Sequence, residues 1–236
     1  MTTPAKSAVV LLSGGMDSAV AAAIARADGF GLAALTIDYG QRHARELSAA
    51  QALARALGCL DHRVVRVDLG AIGGSSLTDA RIPVPKNRGP DDIGTGIPST
   101  YVPSRNIVFL AVAAGYAEAI GAGAVYIGAN AIDYSGYPDC RPGFLKAFED
   151  ALALGTRAGN EGRAIRVLAP LLQLSKADIV RRGRELGVPF EITWSCYEGG
   201  ERPCGRCDSC LLRAKGFAEA GVDDPTVAAG GARGRT

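Results

Sequence analysis

Short apolar runs alternate with longer alanine-rich or amphipathic segments along the first 190 residues. The runs have the length of buried parallel strands, and the longer segments repeat apolar residues at helical spacing. Strands are predicted at 8–12, 32–37, 63–69, 124–128 and 165–168, and helices at 17–27, 42–57, 105–120, 143–158, 175–186 and 211–220. This repetition predicts βαβ units, a parallel sheet flanked by helices, and a ligand site at the carboxyl ends of the strands.

Two further features set the expected organisation of the chain. The stretch 70–104 contains five prolines and two adjacent glycines, which predicts a long irregular segment, either a functional lid or a disordered insertion. Ser175 and Asp178 form a capping-box pattern at the start of a helix. We expect an α/β domain over 1–190, a small C-terminal region over 191–222, and a disordered tail over 223–236.

Composition narrows the class of protein. Hydrophobic residues make up 47% of the 236 residues, enough for a sizeable core, and the formal net charge is only +2. Such balance does not indicate a large nucleic-acid surface, although a local anion pocket stays possible. No stretch approaches the ~20 apolar residues of a membrane-spanning helix, so a cytoplasmic protein without membrane contact is expected.

The turn Ser13-Gly14-Gly15-Met16-Asp17-Ser18 lies between a predicted strand and a predicted helix. Unpaired backbone N–H groups and the helix dipole make such a turn an anion site, and glycines allow close approach of a phosphate. Asp17 suits this site if Mg²⁺ bridges its carboxylate to phosphate oxygens. The pattern matches neither the P-loop nor the dinucleotide fingerprint. The alternative is a Ser/Gly turn that only caps a helix.

Four of the six cysteines lie within fifteen residues, at Cys196, Cys204, Cys207 and Cys210. Overlapping C-x-x-C pairs and one more distant cysteine can surround a single tetrahedral metal ion. Zn²⁺ is the first choice and an iron–sulfur cluster is the alternative. Four protein ligands close the coordination shell, which favours a structural role.

A loop after the fourth predicted strand concentrates carboxylates, tyrosines and a guanidinium in the stretch 133–142. A planar heterocycle can stack on a tyrosine while a carboxylate reads its amino hydrogens, and Arg141 can bind a carboxylate or phosphate. An ordered surface loop is the alternative, and composition alone does not decide between the two.

The turn 13–18 resembles the pyrophosphate loop of the N-type ATP pyrophosphatases. Within that superfamily, this turn together with DYGQRH at 38–43, VPSRN at 102–106, SGYPDCR at 135–141 and the four cysteines resembles the 7-cyano-7-deazaguanine synthases in order and spacing. The resemblance runs from about Val9 to Phe217. The glycine- and proline-rich run 81–97 and the C-terminal tail are assigned no role.

The resemblance implies a Rossmann-like fold of the adenine nucleotide alpha hydrolase type. It also implies a ligase that uses ATP and ammonia to convert 7-carboxy-7-deazaguanine to the nitrile through adenylated acid and amide intermediates. The implied cofactors are ATP, Mg²⁺ and Zn²⁺, and the implied assembly is a homodimer that requires no nucleic acid.

The site residues implied by the resemblance fall into four groups. ATP binding is expected of Leu12, Ser13, Gly14, Gly15, Met16, Asp17, Ser18, Asp38 and His43. Catalytic roles are expected of Asp17, Ser13, Lys176 and Arg105, and substrate contacts of Asp133, Tyr137, Asp139 and Arg141. The metal ligands are Cys196, Cys204, Cys207 and Cys210. Arg105 and Lys176 can equally be solvated surface charges, and a lone histidine such as His43 is more often structural.

Three other functions stay open on the sequence. A paralogue can stop at the amide, and a tRNA thiolase belongs to the same superfamily. A zinc-ribbon nucleic-acid-binding module on an inert α/β domain belongs to a different class, although the intact turn at 13–18 argues against it.

Overall fold

A computed structural model of the chain describes residues 6–89, 92–93, 96–131 and 137–227. The strands are β1 (Ser7–Leu11), β2 (Gly31–Asp38), β3 (Asp61–Arg66), β4 (Ala124–Tyr126) and β5 (Arg166–Leu168). The helices are α1 (Met16–Ala27), α2 (Arg45–Ala56), α3 (Arg105–Ile120), α4 (Pro142–Gly155), α5 (Arg157–Asn160), α6 (Lys176–Glu185) and α7 (Asp208–Ala220). Short 3-10 turns lie at Pro138–Cys140 and Phe190–Ile192.

The strands form one parallel sheet in the order β3-β2-β1-β4-β5, which confirms the predicted fold class. Central β1 pairs with β2 from Ser7↔Gly31 to Leu11↔Leu35 and with β4 at Val9↔Val125. Both faces of β1 are covered, which explains why its sequence is a continuous apolar run rather than an alternating one.

Two hydrophobic cores lie on opposite faces of the sheet. On one face, Val10 packs with residues of α1, α2 and α6 and with Phe217 of α7. On the other face, Val9 and Leu35 pack with Leu110 of α3 and with residues of α4. Alternate side chains of one strand therefore anchor opposite helix layers, as expected for a strand that is buried on both sides.

The chain turns to opposite sides of the sheet after β1 and after β4. The connection from β1 leads to β2 and β3, whereas β4 leads to β5 on the other side. A crevice opens at such a switch point, beyond the carboxyl ends of the two strands.

The structure corrects the predicted helix at 143–158. Thr156 has extended backbone angles (φ −113°, ψ 157°), so α4 ends at Gly155. The Thr156 hydroxyl accepts a hydrogen bond from the Gly159 amide at 3.0 Å and begins the short helix α5. The side-chain cap thus divides what looked like one helix.

Several other boundaries were wrong. The predicted helix 42–57 begins at Arg45, because Ala44 occupies its N-cap position, and the predicted strand 124–128 ends at Tyr126, opposite the last residue of β5. The last predicted strand residues, 67–69, lie outside β3, because its partner β2 ends at Asp38, opposite Arg66. Helix α7 starts at Asp208, not at 211, because Cys207 occupies the N-cap position. The capping box of Ser175 and Asp178 forms with both of its hydrogen bonds, as predicted.

Within the described parts of 70–104, no helix or regular strand forms, and one isolated antiparallel bridge joins Lys86 to Cys207. At the other end of the chain, Asp224 is held by Arg213, so the first residues of the predicted tail pack against the body. The predicted disorder of the last nine residues falls outside the described ranges. Among the described helices, none is long and apolar enough to cross a membrane.

Candidate active site and cysteine centre

A cavity of about 210 Å³ lies at the switch point of the sheet. Its floor is the carboxyl ends of β1 and β4, and its walls come from the turn after β1, from α2, α3 and α6, and from the segment around the cysteines. The predicted site residues in the wall are Ser13, Gly15, Met16, Asp17, Ser18, Arg105, Tyr137 and Lys176.

The turn between β1 and α1 is closed by its own hydrogen bonds. The Ser13 amide and hydroxyl each lie 3.1 Å from the Ser18 hydroxyl, and the Gly15 amide donates to the Ser13 hydroxyl at 3.3 Å. The Ser18 hydroxyl in turn donates to the Gly15 carbonyl at 2.9 Å. The first turn of α1 therefore faces the cavity from a loop that is already ordered, an arrangement that suits an anion.

Two close backbone contacts at this end of the sheet require glycine. Gly14 has a φ of +92°, and a Cβ there would lie 2.3 Å from the Glu46 carbonyl oxygen. Across the cavity floor, a Cβ on Gly128 would lie 2.9 Å from the Ser18 amide nitrogen. Both glycines let backbone segments approach closely, and the second keeps the start of α1 against the end of β4.

Asp17 and Lys176 form an ion pair in the cavity wall. The Lys176 amine lies 2.9 and 3.1 Å from the two Asp17 carboxylate oxygens, and only 5% of the Lys176 side chain is exposed. Asp17 belongs to the first turn of α1 and Lys176 is the first residue of α6. One cationic and one anionic group thus stand together beside the anion-binding turn.

Glu46 is a second carboxyl group in the wall, and no sequence pattern predicted it. Burial raises the pKa of Glu46 to about 7, and the positive charge of Arg105 counteracts only part of that effect. Glu46 lies in the first turn of α2, whose backbone abuts Gly14. A carboxyl group with a raised pKa in a cleft is a common feature of functional sites.

Aromatic and cationic side chains line the other side. Tyr137 is buried, its hydroxyl lies 3.0 Å from the Thr100 hydroxyl, and its ring is 5.6 Å from that of Tyr101. The Arg105 guanidinium stands 5.8 Å from the centre of the Tyr39 ring. This wall can receive a planar ring and a negative charge.

Cys140 also lines the cavity. The Asn106 side-chain amide donates to its sulfur at 3.2 Å. Burial is the main cause that raises the pKa of this thiol to about 11. Cys140 is therefore a protonated thiol at neutral pH, which does not suit a nucleophile.

Several predicted site residues are not part of the cavity wall. The Asp139 carboxylate accepts a hydrogen bond from the backbone amide of Asn106 at 3.0 Å and so caps the start of α3. Arg141 is exposed at the start of α4, and Asp38 ends β2 with a 3.4 Å contact from the Gly40 amide. His43 packs closely beneath Gly199 and edge-on to Trp194.

Leu12 is a core residue, 1% exposed. Asp133 lies outside the described residues. Gly14 is also absent from the cavity wall. The expected ligand contacts of all the predicted site residues, inside and outside the wall, stay predictions.

The wall also contains residues that sequence reasoning did not assign. They include Glu46, Tyr39, Asn106, Trp194, Ser195, Tyr197, Ser209 and Arg213. Tyr39 and Asn106 lie inside motifs that had been noted, and Trp194 and Tyr197 flank the first clustered cysteine. Their nearness to these motifs could have identified them from the sequence. Glu46 carried no such signal.

The four clustered cysteines converge in the structure. Their sulfur atoms all lie within 4.8 Å of one another. Backbone amides point at these sulfurs, with Cys204 N and Glu198 N 3.3 and 3.4 Å from the Cys196 sulfur, and Cys207 N 3.3 Å from the Cys204 sulfur. Amide donors around a compact set of sulfurs suit thiolate ligands, so the residues fit a tetrahedral metal ion such as Zn²⁺.

Hydrogen bonds between the cysteines shift their pKa values in opposite directions. Hydrogen bonding from Cys207 and then from Cys210 lowers the pKa of Cys196, whereas the bond with Cys196 raises the pKa of Cys207 to about 12. Thiolates this close repel one another, so a bound cation is needed to hold all four deprotonated.

The segment from Val84 to Arg88 packs on the cysteine centre. Val84 is buried against the cysteines, and the Asn87 amide donates to the Arg206 carbonyl at 2.9 Å. Arg88 pairs with the buried Asp208 carboxylate at 3.0 Å. The run 81–97, to which the sequence analysis assigned no role, thus contains residues that pack on and bind to the segment of the cysteine centre.

The fold and the site together define a doubly wound α/β protein with an anion-binding turn at the switch point of its sheet and a closed four-cysteine centre. The family model described as "Queuosine biosynthesis protein QueC" matches residues 7–221. The chain belongs to this family.

Curated relatives agree over nearly the full chain. The 7-cyano-7-deazaguanine synthase of Anaeromyxobacter sp. (strain Fw109-5) is 60% identical over 95% of this chain and 97% of its own length. The enzymes of the same name from Anaeromyxobacter dehalogenans (strain 2CP-C) and Azotobacter vinelandii (strain DJ / ATCC BAA-1303) are 59% and 56% identical over 95% and 94% of this chain, and each is covered over 97% of its length.

Solved structures show a more distant likeness. NMN synthetase from Francisella tularensis has a TM-score of 0.48 and 16% identity, with 92% of this chain and 87% of that chain covered. A 4-thiouridine synthetase–RNA complex with bound ATP has a TM-score of 0.45 and 21% identity, with 90% and 53% covered. These scores add nothing to the family assignment.

Proposed function

We propose that this protein converts 7-carboxy-7-deazaguanine and ammonia to 7-cyano-7-deazaguanine, and that it uses two ATP and releases two AMP and two pyrophosphate. Membership of the QueC family and the names of the curated relatives support the product. The observation that carries the use of ATP is the ordered anion-binding turn beside the Asp17–Lys176 pair at the switch point.

In the first half-reaction, one carboxylate oxygen of the substrate attacks the α-phosphorus of ATP and pyrophosphate leaves. The amides of the turn 13–18 and the Lys176 amine receive the charge of the departing pyrophosphate. The product is an acyl adenylate, a mixed anhydride. Ammonia then attacks its acyl carbon, and AMP departs with the carboxylate oxygen that had attacked phosphorus. Loss of one proton from nitrogen leaves the amide.

The second half-reaction repeats this chemistry on the amide. Its oxygen attacks the α-phosphorus of a second ATP, and pyrophosphate leaves again. The nitrogen then gives up both of its protons, and AMP departs with the amide oxygen as the C≡N bond forms. Adenylation is needed twice because oxide is a poor leaving group and AMP is a good one.

The side chains of the cavity support separate tasks. Lys176 and Ser13 contact phosphate oxygens, and Arg105 binds the negative charge of the substrate carboxylate or of AMP. Tyr137 offers an aromatic face for the deazaguanine ring. Asp139, Arg141, Asp38 and His43 are further expected contacts, which movement on binding would have to bring to the ligands. Asp133 is also an expected substrate contact.

Two metal ions complete the proposal. Mg²⁺, when bound, would be held by the Asp17 carboxylate and phosphate oxygens and would supply Lewis-acid stabilisation of negative charge. Zn²⁺ would be held by the four cysteines and would supply fold stability, since four protein ligands leave no open position. We also expect a cytoplasmic homodimer that uses free ammonia or ammonia supplied by a partner protein.

A product assay tests the proposal. Purified zinc-replete protein is incubated with 7-carboxy-7-deazaguanine, ammonium, Mg²⁺ and ATP, and mass spectrometry follows bases and nucleotides, with Lys176→Met as a control that should form AMP slowly but measurably. The expected result is the nitrile with two AMP per turnover. An amide with one AMP would indicate a paralogue that stops early, and folded protein that forms no AMP would contradict the proposal.

A further inference from the structure

Helix α7 crosses α6 at a glycine. A Cβ on Gly216 would lie 2.4 Å from Lys176 Cγ, 3.0 Å from Lys176 Cβ and 3.2 Å from the Lys176 carbonyl carbon. Gly216 lies inside α7 and has no positive φ, so its backbone does not need glycine. Glycine within a helix is about 1 kcal/mol less favourable than alanine, so the space beside Lys176 is the apparent reason for it.

That space is occupied by the stem of the cavity lysine. Lys176 passes Gly216 on its way to the cavity, where its amine meets both Asp17 oxygens at 2.9 and 3.1 Å. The side chain is 5% exposed, so solvent offers it little alternative path. The contact with α7 therefore sets the direction in which the amine points.

Helix α7 is itself fixed at its start and along its length. Cys207 is its N-cap and Cys210 lies in its first turn, so two of the four clustered sulfurs belong to this helix start. Further along, the buried Arg213 pairs with Asp224 at 2.7 Å and donates to the Thr193 hydroxyl at 2.6 Å. The helix cannot shift beside Lys176 without disturbing these contacts.

We propose that α7 positions the Lys176 amine in the cavity through the close contact at Gly216. Gly216 is then a positioning residue. The proposal rests on the proposed function in so far as Lys176 contacts phosphates there.

Gly216→Ala is the direct test, with Gly115→Ala as the matched control. Gly115 also lies within a helix, α3, and a Cβ there would have nothing within 4 Å. Since misplacement of a catalytic group by about 1 Å can cost about 100-fold, we expect AMP formation by Gly216→Ala to fall by about tenfold or more. Gly115→Ala should keep its rate, and thermal unfolding should exclude loss of fold in both variants.

A double-mutant comparison separates positioning from general damage. In the Lys176→Met background, Gly216→Ala should cause no further loss, because the group that it displaces is already absent. The inference would be overturned if Gly216→Ala lowered the rate of AMP formation by the same factor in both backgrounds. A wild-type rate of AMP formation in Gly216→Ala would overturn it as well.

Binding of inorganic pyrophosphate, measured by calorimetry, gives a readout without turnover. The inference predicts weaker binding by Gly216→Ala than by Gly115→Ala, and no such difference in the Lys176→Met background. If wild-type protein forms no AMP and this pattern still appears, the proposed function fails and the positioning role stands. Equal pyrophosphate affinity of the two glycine variants would overturn the positioning role alone.

Discussion

The anion-binding turn and the cysteine centre are neighbours that are held together in different ways. The Trp194 amide donates to the Gly14 carbonyl at 2.9 Å and joins the two regions directly. The turn is closed by hydrogen bonds between its own residues, Ser13, Gly15 and Ser18. In the cysteine centre, four sulfurs face one another within 4.8 Å, an arrangement that fits a metal ion.

The difference indicates which region the chain can form by itself. Neutral serine and glycine groups satisfy one another, so the turn needs no cofactor to keep its shape. Four thiolates repel one another until a cation binds them, so formation of the cysteine centre is coupled to metal binding. We therefore expect changes in the cysteine centre to affect folding, and changes in the turn to affect chemistry.

The largest expected effect follows loss of a sulfur ligand. Cys207→Ser should lose zinc together with stability, because structural zinc contributes about 10–16 kcal/mol in small zinc-binding peptides. Metal analysis and thermal unfolding measure both effects, with Cys59→Ser, at a half-buried cysteine outside the cluster, as the control. A zinc-free Cys207→Ser protein with wild-type thermal stability would contradict the structural role.

The opposite pattern is expected for the turn. Asp17→Asn should stay folded and keep its zinc, with some loss of stability because the nearly buried Lys176 amine loses the Asp17 carboxylate. AMP formation should fall by about 100-fold or more, since the variant loses the carboxylate expected to bind Mg²⁺. Asp150→Asn, at an exposed position of α4, is the control and should keep the rate. Normal kcat in Asp17→Asn would remove the assigned role.

A third change tests whether the segment after α7 stabilises the part of the molecule around the four cysteines. Asp224 binds the Arg213 guanidinium through both carboxylate oxygens, at 2.7 and 2.9 Å, and Asp224→Asn leaves a buried, poorly compensated arginine. Breaking a buried ion pair costs about 3–5 kcal/mol, so denaturant unfolding should show a loss of that order.

A chain that ends at Val227 should unfold like the full-length protein, whereas one that ends at Val222 should resemble Asp224→Asn.

The smallest effect concerns Glu46, where stability and pH are linked. Because burial raises the pKa of Glu46 to about 7 in the folded chain, the folded state binds the proton more tightly than the unfolded state does. The stability that this group contributes is present below about pH 4.5 and is lost as pH rises to 7. Glu46→Gln should therefore gain stability over wild type as pH rises from 5 to 8, by at most about 3 kcal/mol.

Glu185→Gln, at an exposed position of α6, is the control for that series and should show no such trend. An advantage of Glu46→Gln that is the same at pH 5 and pH 8 would contradict the raised pKa.

Local sequence predicted the parts of this molecule that depend on local interactions. Helix α3 begins and ends where its pattern predicted, and the capping box at Ser175 forms as expected. The break at Thr156 was missed because a single side-chain cap overrode continuous helical periodicity. The early start of α7 was missed because convergence of the sulfurs, rather than an apolar pattern, sets it.

The same distinction applies to the site. Ser13 and Asp17 were predicted from a motif and Lys176 from the family resemblance, and the structure brings them to one cavity wall. Glu46 and Ser195 reach that wall only because α2 and the segment before Cys196 pack on the turn, and such contacts between distant segments leave no local pattern.

The central claim is that one cavity adenylates first an acid and then an amide, and an isotope experiment tests it most directly. The substrate 7-carboxy-7-deazaguanine, labelled with ¹⁸O at both carboxylate oxygens, is converted with unlabelled ATP, and mass spectrometry follows the label. The account predicts that each of the two AMP molecules carries one ¹⁸O and that pyrophosphate carries none. ADP with labelled inorganic phosphate, or a nitrile formed with unlabelled AMP, would contradict it.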